Sequence, residues 1–510
     1  KQGCLERRAV TRFPETVLPY KARYSYNRIK YWLNGTEITD DIPPGLTTLD
    51  YLHQTLGMYG TKCSCNEGDC GACTVVVCSA KAGKVCYEAI NSCLYPAAKL
   101  HGKHLITIEG LGSKEQLHPI KQVMLDFHST QCGYCTPGFV MSLFALLATH
   151  KNTGREAILA ALEGNLCRCT GYDSILQAAE YLAAQYDIEG ILPQWCRALE
   201  PMLSDKTEPE CIIVKDSDRF YLNHEYYKPR RINEYFELYK KVKDKDYRII
   251  NGGTDIMVQI NINRSIYPIL IDVSQLEDFG GIDYDGYNIT IGAASTYSDV
   301  LHNGYVKKNL PALVSIIRSI ASEQIRNFGT LAGNIGNASP IGDTLPLLLV
   351  YDAVLTLVSP LGKRKVKLRD FFLGYRKTGL SAGELIQSIC IPVPPRNAYT
   401  HSIKATKRKS VDISAVCTAI SLEFNKDKID AAALALGGVA ATPVLSKCFA
   451  TIVLGKSMQE LDVEAIASSV QAEFQPLSDV RGSKQYRSRL IHNHVVQYLQ
   501  QATEQMRRKA

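Results

Sequence analysis

Residues 61–77 read TKCSCNEGDCGACTVVV and set Cys65, Cys70 and Cys73 in a C-x4-C-x2-C array threaded by Gly68 and Gly71. Three thiolates this close in a polar, glycine-containing loop match the spacing of plant-type 2Fe-2S loops, which take a fourth ligand from a more distant cysteine. Cys93, in NSCLYP, stands where that ligand is needed. Cys63 competes with Cys65, but only Cys65 gives the four-residue gap.

Working outward, Ile29, Tyr31 and Leu33 alternate onto one face, and TEIT continues the pattern after Asn34 and Gly35. An Asn-Gly pair tolerates the positive φ of a type I′ turn, so a hairpin is expected. Beyond the break at Pro43, Pro44 and Gly45, Thr47 or Thr48 can cap a short helix carrying Leu49, Leu52 and Leu56. The cysteine loop follows, then strands TVVVC and KVCYEAI around a turn at Ala82 and Gly83. Residues 24–110 therefore read as a small β-grasp domain of the ferredoxin kind.

Residues 111–186 change character, with amphipathic segments at 120–128, 137–150, 155–162 and 174–186. Thr136 and Pro137 read as a cap and first helical position, and Asp173 or Ser174 as the cap of the fourth segment. Cys132-x2-Cys135 and Cys167-x-Cys169 lie just ahead of the second and fourth helices. Helix N-termini lower thiolate pKa and offer N–H donors, so a helical bundle gripping a second cluster is the simplest arrangement. A structural zinc is the alternative, although the one-residue gap of Cys167 and Cys169 departs from the usual C-x2-C pairs. Cys78, Cys86, Cys196, Cys211, Cys390, Cys417 and Cys448 read as ordinary buried or surface thiols.

With 510 residues the chain is expected to hold about three or four domains. Its net charge of +7 is spread among acidic residues, with no basic block interleaved with aromatics, which argues against nucleic acid. The basic start (Arg7, Arg8, Arg12, Lys21, Arg23) reads as a solvated tail. Most of the 17 cysteines fall between Cys63 and Cys169, a clustering that in a reducing compartment means metal or redox chemistry. The apolar run FVMSLFALLA is about half the length of a membrane span, and residues 1–30 lack an apolar signal core. A cytoplasmic protein without a membrane span is expected.

Residues 187–228 lose periodicity and collect Pro193, Pro201 and Pro209, which reads as a linker wrapped over the surface. Residues 229–395 open with a helix INEYFELYKKV, a strand YRIIN, the turn GGTD and a helix or loop IMVQIN. They also hold a loop, 326–349, rich in Gly, Asn, Ser and Thr. Such residues turn N–H groups outward into an anion-cradling nest, so these two glycine stretches are candidates for a cofactor diphosphate; a polar connection is the alternative. No G-x-G-x-x-G follows a strand and opens a helix, so a Rossmann fold is not expected. Residues 396–505 alternate as strands and end in two amphipathic segments, an α+β cap.

The motifs CNEGDCGACTVVV, TQCGYCTPGFVMS, EGNLCRCTGYDSIL, INGGTD, LAGNIGNASPIGDTLP, FFLGYRKTG and PLSDVRGSKQYR together resemble the xanthine dehydrogenase family of molybdenum hydroxylases. The likeness is greatest to the iron-sulfur and FAD small subunit of its bacterial heteromeric members. It implies an α+β multidomain chain: a β-grasp 2Fe-2S domain, a four-helix 2Fe-2S bundle, an FAD domain of the vanillyl-alcohol-oxidase type and a small C-terminal domain. It also implies that Cys65, Cys70, Cys73 and Cys93 hold the cluster nearer FAD. Cys132, Cys135, Cys167 and Cys169 would hold the other, with Gln131 facing a partner's pterin. For FAD it implies the backbone of Ile249, Ile250, Asn251, Gly252, Gly253, Thr254, Asp255 and Ile256. Thr330, Gly333, Asn334, Asn337 and Asp343 would then surround the diphosphate and ribityl chain, with Ile386 and Lys404 at the flavin.

One departure stands out, because Ile320 occupies the place of an aromatic that stacks on the flavin ring in this family. Lys407 to Asp412 corresponds to the family's loop near the flavin. The 510 residues hold no large molybdopterin domain, so hydroxylation is expected on a molybdenum-cofactor-binding large subunit, in a heterotetramer or larger assembly. Electrons would pass to NAD+ or another acceptor. An aldehyde or other N-heterocycle hydroxylase subunit is the nearest alternative reading, and a zinc-bound assembly module the more distant one.

Overall fold

A computed structural model describes residues 24–26, 28–42, 45–81, 83–150, 153–204, 211–215 and 225–509. The basic start through Arg23, the break at Pro43 and Pro44, Ala82 and Pro209 lie outside the described residues. Ile29–Leu33 and Thr36–Asp40 form the expected hairpin, with Asn34 at φ 49° and Gly35 at φ 90°. Their five-stranded sheet runs in the order Thr36–Asp40, Ile29–Leu33, His104–Ile106, Thr74–Lys81, Lys84–Asn91. Thr47 caps the helical turn beside it, its hydroxyl accepting the Asp50 N–H, and Leu49 and Leu52 are buried against the sheet.

The bundle helices are Pro119–Asp126, Thr136–Thr149, Arg155–Leu162 and Asp173–Gln185. Thr136–Thr149 is its axis, buried from Gly138 to Ala148 because its residues are apolar or small on every side. Two helix starts differ from the sequence expectation. Cys135 is the N-cap before Thr136, and Tyr172, at φ 72°, precedes Asp173. Tyr172 is held there by its hydroxyl, which accepts the Cys167 N–H at 3.0 Å.

The stretch read as a linker contains helices Ile188–Ile191 and Gln194–Ser204 and strands Cys211–Lys215 and Glu225–Lys228. Ile191, Leu192, Cys196 and Leu203 are buried in the bundle's core, so the first part of this stretch is packed rather than draped over the surface. The first helix has only four residues, and Pro193 ahead of the second and Pro201 inside it read as breakers although the second keeps an amphipathic period. The two strands join a sheet with Ile269–Asp272 and Tyr247–Ile250 at the start of the next unit.

That unit continues with a second sheet, ordered Ile282–Tyr284, Asn288–Gly292, Leu385–Pro392, Val354–Ser359, Gly362–Lys367. The IMVQIN segment is helical, within Thr254–Asn261. The stretch 326–349, expected as a loop, is mostly short helices: Glu323–Arg326, Leu331–Asn337 and Leu345–Val350. Burial of Leu331, Ala332 and Ile335 on one face overrides the weak helix propensity of its glycines and asparagines. The last unit sets Tyr399–Ala405, Val416–Asn425, Lys428–Gly437 and Val444–Leu445 in a sheet, backed by helices Val463–Glu473 and Lys484–Lys509.

The units are joined by buried polar contacts. Asn165 donates to the Gly71 carbonyl at 3.3 Å and accepts from Ser142 at 2.8 Å and Gln324 at 3.1 Å. Gly71 belongs to the first domain, Asn165 and Ser142 to the bundle, and Gln324 to the flavin-type unit. Asn165→Ala is expected to cost roughly 2–4 kcal/mol, because it removes three buried hydrogen bonds at once and leaves the Ser142 hydroxyl without its acceptor. The thermal unfolding midpoint should fall by several degrees, whereas Gln122→Ala on an exposed helix face should leave it nearly unchanged.

Candidate functional site

The loop 65–73 is curled by left-handed residues: Asn66 at φ 58°, Gly68 at φ 86° and Gly71 at φ 67°. At Gly71 a Cβ would lie 2.4 Å from the Gly164 carbonyl oxygen, so only glycine fits. The curl aims backbone N–H groups of Glu67, Asp69 and Cys70 at the Cys65 sulfur. The Cys65 thiol is held down to about 5, first by a hydrogen bond from Cys70 and then, against desolvation, by those N–H groups. Cys73 and Cys93 are buried with their sulfurs 3.3 Å apart. Cys63 donates to Asn66 Oδ1 at 3.1 Å. Asn261 donates to the Cys93 carbonyl at 2.7 Å and the Asn66 carbonyl at 3.0 Å, tying this loop to the flavin-type unit.

The second group repeats the pairing. Cys132 and Cys169 have their sulfurs 3.6 Å apart, and Cys135 is hydrogen-bonded to Cys167. Burial and that bond push the Cys135 thiol up to about 12. Cys167 Sγ is met by the Thr170 hydroxyl at 3.1 Å and N–H at 3.5 Å. Two thiolates on one tetrahedral metal with bonds of about 2.3 Å sit roughly 3.8 Å apart. Two pairs per group therefore suit a cluster of two irons, each taking two thiolates. The two groups differ in access: Cys132, Cys169 and Gln131 are exposed, whereas Cys70, Cys73 and Cys93 are buried.

A cleft of about 1320 Å³ opens between the flavin-type unit and the C-terminal unit. Asp255, Ile320, Asn334, Asn337, Asp343 and Lys404 line it, and so do Glu67 and Asp69 of the first cysteine loop. Lys404 pairs with Asp343 at 2.9 Å, both nearly buried, and donates to the Ser319 carbonyl at 2.8 Å. Burial raises the Asp343 carboxyl despite Lys404 and the neighbouring Ser414 hydroxyl, and its Oδ1 makes no hydrogen bond of regular geometry. Asn337 donates to Asp255 at 3.1 Å, and Arg376 reaches both.

The remaining residues expected at the flavin fall outside this lining, although Gly333 is exposed and Ile249, Asn251, Gly253, Thr254 and Ile256 are half-buried. Ile249, Ile250, Asn251, Gly252, Gly253, Thr254 and Ile256 do not line the cleft. Gly252 packs instead on the second glycine stretch, where a Cβ would lie 2.3 Å from the Phe328 oxygen, and Asn251 Oδ1 is buried without a partner. Thr330 and Gly333 are engaged with each other as a helix cap at 3.0 Å, and Ile386 is buried behind Gly336. Tyr375, Arg376, Asp479 and Arg487 also line the cleft. They fall in FFLGYRKTG and PLSDVRGSKQYR, motifs the sequence flagged without giving them a role. Arg487 is fixed by Asp479 at 2.6 Å and the Gly438 carbonyl at 2.6 Å. Orphaned acceptors such as Asp343 Oδ1, beside cationic Lys404 and Arg376, fit a polyhydroxy, phosphate-bearing cofactor such as FAD.

Four family models match in succession. They are a 2Fe-2S iron-sulfur cluster binding domain at 33–97, a [2Fe-2S] binding domain at 107–180, the FAD binding domain in molybdopterin dehydrogenase at 221–394, and the CO dehydrogenase flavoprotein C-terminal domain at 401–502. Xanthine dehydrogenase of Blastobotrys adeninivorans is 32% identical over 91% of this chain and 40% of its own. The chain belongs to the xanthine dehydrogenase, or molybdenum hydroxylase, family. It carries that family's two 2Fe-2S domains and its FAD domain.

Xanthine dehydrogenase 2 of Arabidopsis thaliana is similar at 30% identity, over 85% of this chain and 37% of its own. The chain thus spans about two-fifths of the length of the curated relatives it matches. Among solved structures, a carbon monoxide dehydrogenase chain from Hydrogenophaga pseudoflava matches with TM-score 0.53 and 26% identity, over 55% of this chain and 97% of its own. A quinoline 2-oxidoreductase chain from Pseudomonas putida 86 matches with TM-score 0.51 and 25% identity, over 55% and 96%.

Cys169→Ser is expected to remove one of two EPR-distinct reduced signals and lower bound iron from about four to about two per chain. Both signals persisting would refute the ligand assignment.

Proposed function

We propose that this chain is the electron-transfer subunit of a xanthine dehydrogenase-like molybdenum hydroxylase, accepting electrons from a molybdopterin-bearing partner and delivering them to NAD+ or another acceptor. When bound, the clusters supply one-electron chemistry and the flavin joins it to two-electron transfer. The observation that carries the reading is the order of exposure along the chain. One thiol group opens to the surface at Cys132 and Cys169, while in the other Cys70, Cys73 and Cys93 are buried and Cys65 half-buried, in a loop that forms a wall of the flavin cleft.

Each end of this path has its own chemistry. At the outer end, Gln131 and the exposed rings of Tyr134 and Tyr172 surround the open thiols, a surface suited to a partner chain bearing the pterin. Between the groups, the Leu166 N–H donates to the Cys70 carbonyl at 2.9 Å, so the two ligand loops are in direct contact. At the inner end Asn261 fixes the Cys93 backbone, and Ile320 and Lys404 shape the place for the flavin. Ile320 covers a ring by van der Waals contact alone. Hydroxylation is assigned to the partner, in a heterotetramer or larger assembly. No helix among the described residues is long and apolar enough to cross a membrane, which is compatible with a cytoplasmic enzyme. The likeness to a quinoline 2-oxidoreductase chain favours an N-heterocycle or aldehyde hydroxylase subunit as the second reading.

Purification with native partners, followed by assay of xanthine, hypoxanthine, quinoline and aldehydes against NAD+ and oxygen, separates the two readings. About four irons, one FAD and no zinc per chain are expected; stoichiometric zinc without flavin sinks the proposal. Ile320→Phe should tighten FAD by about 0.5–1.5 kcal/mol through ring stacking and shift the flavin absorption bands, as read by flavin titration of the stripped protein.

A further inference from the structure

We infer that Glu163, at the end of a bundle helix, is a positioning residue that holds two opposite walls of the flavin cleft in register. The inference rests on the reading of that cleft as the flavin and acceptor site.

The backbone around Glu163 is pinned. Glu163 closes the helix Arg155–Leu162, and a Cβ on Gly164 would lie 2.5 Å from Ser322 Cβ and 2.2 Å from Gln324 Oε1. Its two carboxylate oxygens then go to different elements. Oε1 accepts from Arg326 Nη2 at 2.8 Å, and Oε2 accepts from the Ser410 hydroxyl at 3.1 Å.

Arg326 carries the first contact to the cleft. Its nearly buried guanidinium donates through Nη1 to the carbonyls of Ile320 at 2.9 Å, Arg318 at 3.3 Å and Ala321 at 3.4 Å. Ile320 and Ala321 line the cleft, and Ala321 sits at φ 47°. A non-glycine residue holds that conformation only where its surroundings impose it, and three carbonyls clasped by one guanidinium do so. Without Glu163 the Arg326 charge would lose its hydrogen-bonded counterion and keep only the charge of nearby Glu323, in a site with little water to replace it.

Ser410 carries the second contact. It belongs to the loop 407–412, whose Lys407, Arg408, Val411 and Asp412 line the same cleft. The loop is fastened to itself: Asp412 accepts the N–H groups of Lys407 at 3.0 Å and Arg408 at 2.9 Å, and Arg408 donates to the Val411 carbonyl at 2.7 Å. Val411, a β-branched residue, is left at φ 51°. A self-closed loop moves as a body, so its distance from the Ile320 wall depends on what it grips outside itself. Lys407 reaches the Val480 carbonyl at 3.3 Å in the C-terminal unit, and Ser410 reaches Glu163. One carboxylate on the iron-sulfur bundle thus sets the spacing of both walls at the place where an acceptor would meet the flavin. Glu163 lies four residues before the ligand Cys167 but does not contact it; its action on the flavin is through Arg326 and Ser410.

The test uses the holoenzyme purified with its native partner, with the wild type's best substrate saturating and NAD+ or oxygen varied. Glu163→Gln and Ser410→Ala should each raise the acceptor KM at least about threefold, the loss of one hydrogen bond, while kcat falls less. The flavin absorption bands should shift and the EPR signals of both clusters should not. In the double variant the two effects should be less than multiplicative, since both act through one carboxylate. Ser410 lies in a partly exposed loop, so its variant folds even if Glu163→Gln does not. Unchanged KM and flavin spectrum with only a lower thermal midpoint, or fully multiplicative effects, would overturn the inference and leave the relay intact. A wild-type holoenzyme lacking FAD, or passing electrons to neither acceptor, would overturn both.

Discussion

The structure hangs on a single buried amide. Asn165 lies where the cysteine loop of the first domain, the axial helix of the bundle and the segment 322–326 of the flavin-type unit converge, and it hydrogen-bonds to all three. A buried amide must satisfy both its donors and its acceptor, so it fixes relative position in a way that an apolar contact does not. The glycines around it follow from the same constraint. A Cβ on Gly138 would strike the Gly71 oxygen at 2.3 Å, and one on Gly71 would strike the Gly164 oxygen. Three backbones approach here more closely than side chains allow. The two cysteine loops, which begin within a few residues of Asn165 and Gly71, are held by the same close approach.

A second buried junction supports the inner end of the path. Lys99 and Asp272, 4% and 0% exposed, pair at 3.5 Å between the first domain and the flavin-type unit. Lys99 also donates to the Asn251 and Gly252 carbonyls, and Tyr226 donates to Asp272. These bonds satisfy a charge that would otherwise be costly to bury, and they orient the glycine turn ahead of the helix Thr254–Asn261. Nearby Lys228 is fully buried, and desolvation together with the Lys103 charge pulls its pKa well down. The Lys99 bonds thus anchor the turn at Asn251 and Gly252, and Asp255, just beyond it, lines the cleft.

Much of this was legible in the chain. The hairpin at Asn34 and Gly35, the bundle helices and the pairing of eight cysteines into two sets follow from local rules: turn chemistry, helical spacing and ligand gaps. The misreadings share one cause. Gln194–Ser204 is interrupted by proline, and the helices of 323–350 are short and in part rich in glycine and asparagine, so their structure owes much to burial against other units. Local propensity says little about such segments. The same holds for the cleft: the motifs containing Arg376, Asp479 and Arg487 were visible, but nothing in their spacing says that they meet Lys404.

The sequence by itself determined the chemistry this protein can host, because an iron-sulfur loop is defined by residue type and spacing within a dozen or so positions. It also determined the order of the domains and the absence of a Rossmann fingerprint. Only the tertiary structure decided which thiols pair, which group faces solvent and which borders the cleft between the flavin-type and C-terminal units. It alone placed Glu163 between Arg326 and Ser410, residues 163 and 247 positions away along the chain. The physical reason is range: ligand spacing and helix caps act within a few residues, whereas burial, buried hydrogen bonds and cleft walls are made by segments that meet only once the chain has folded.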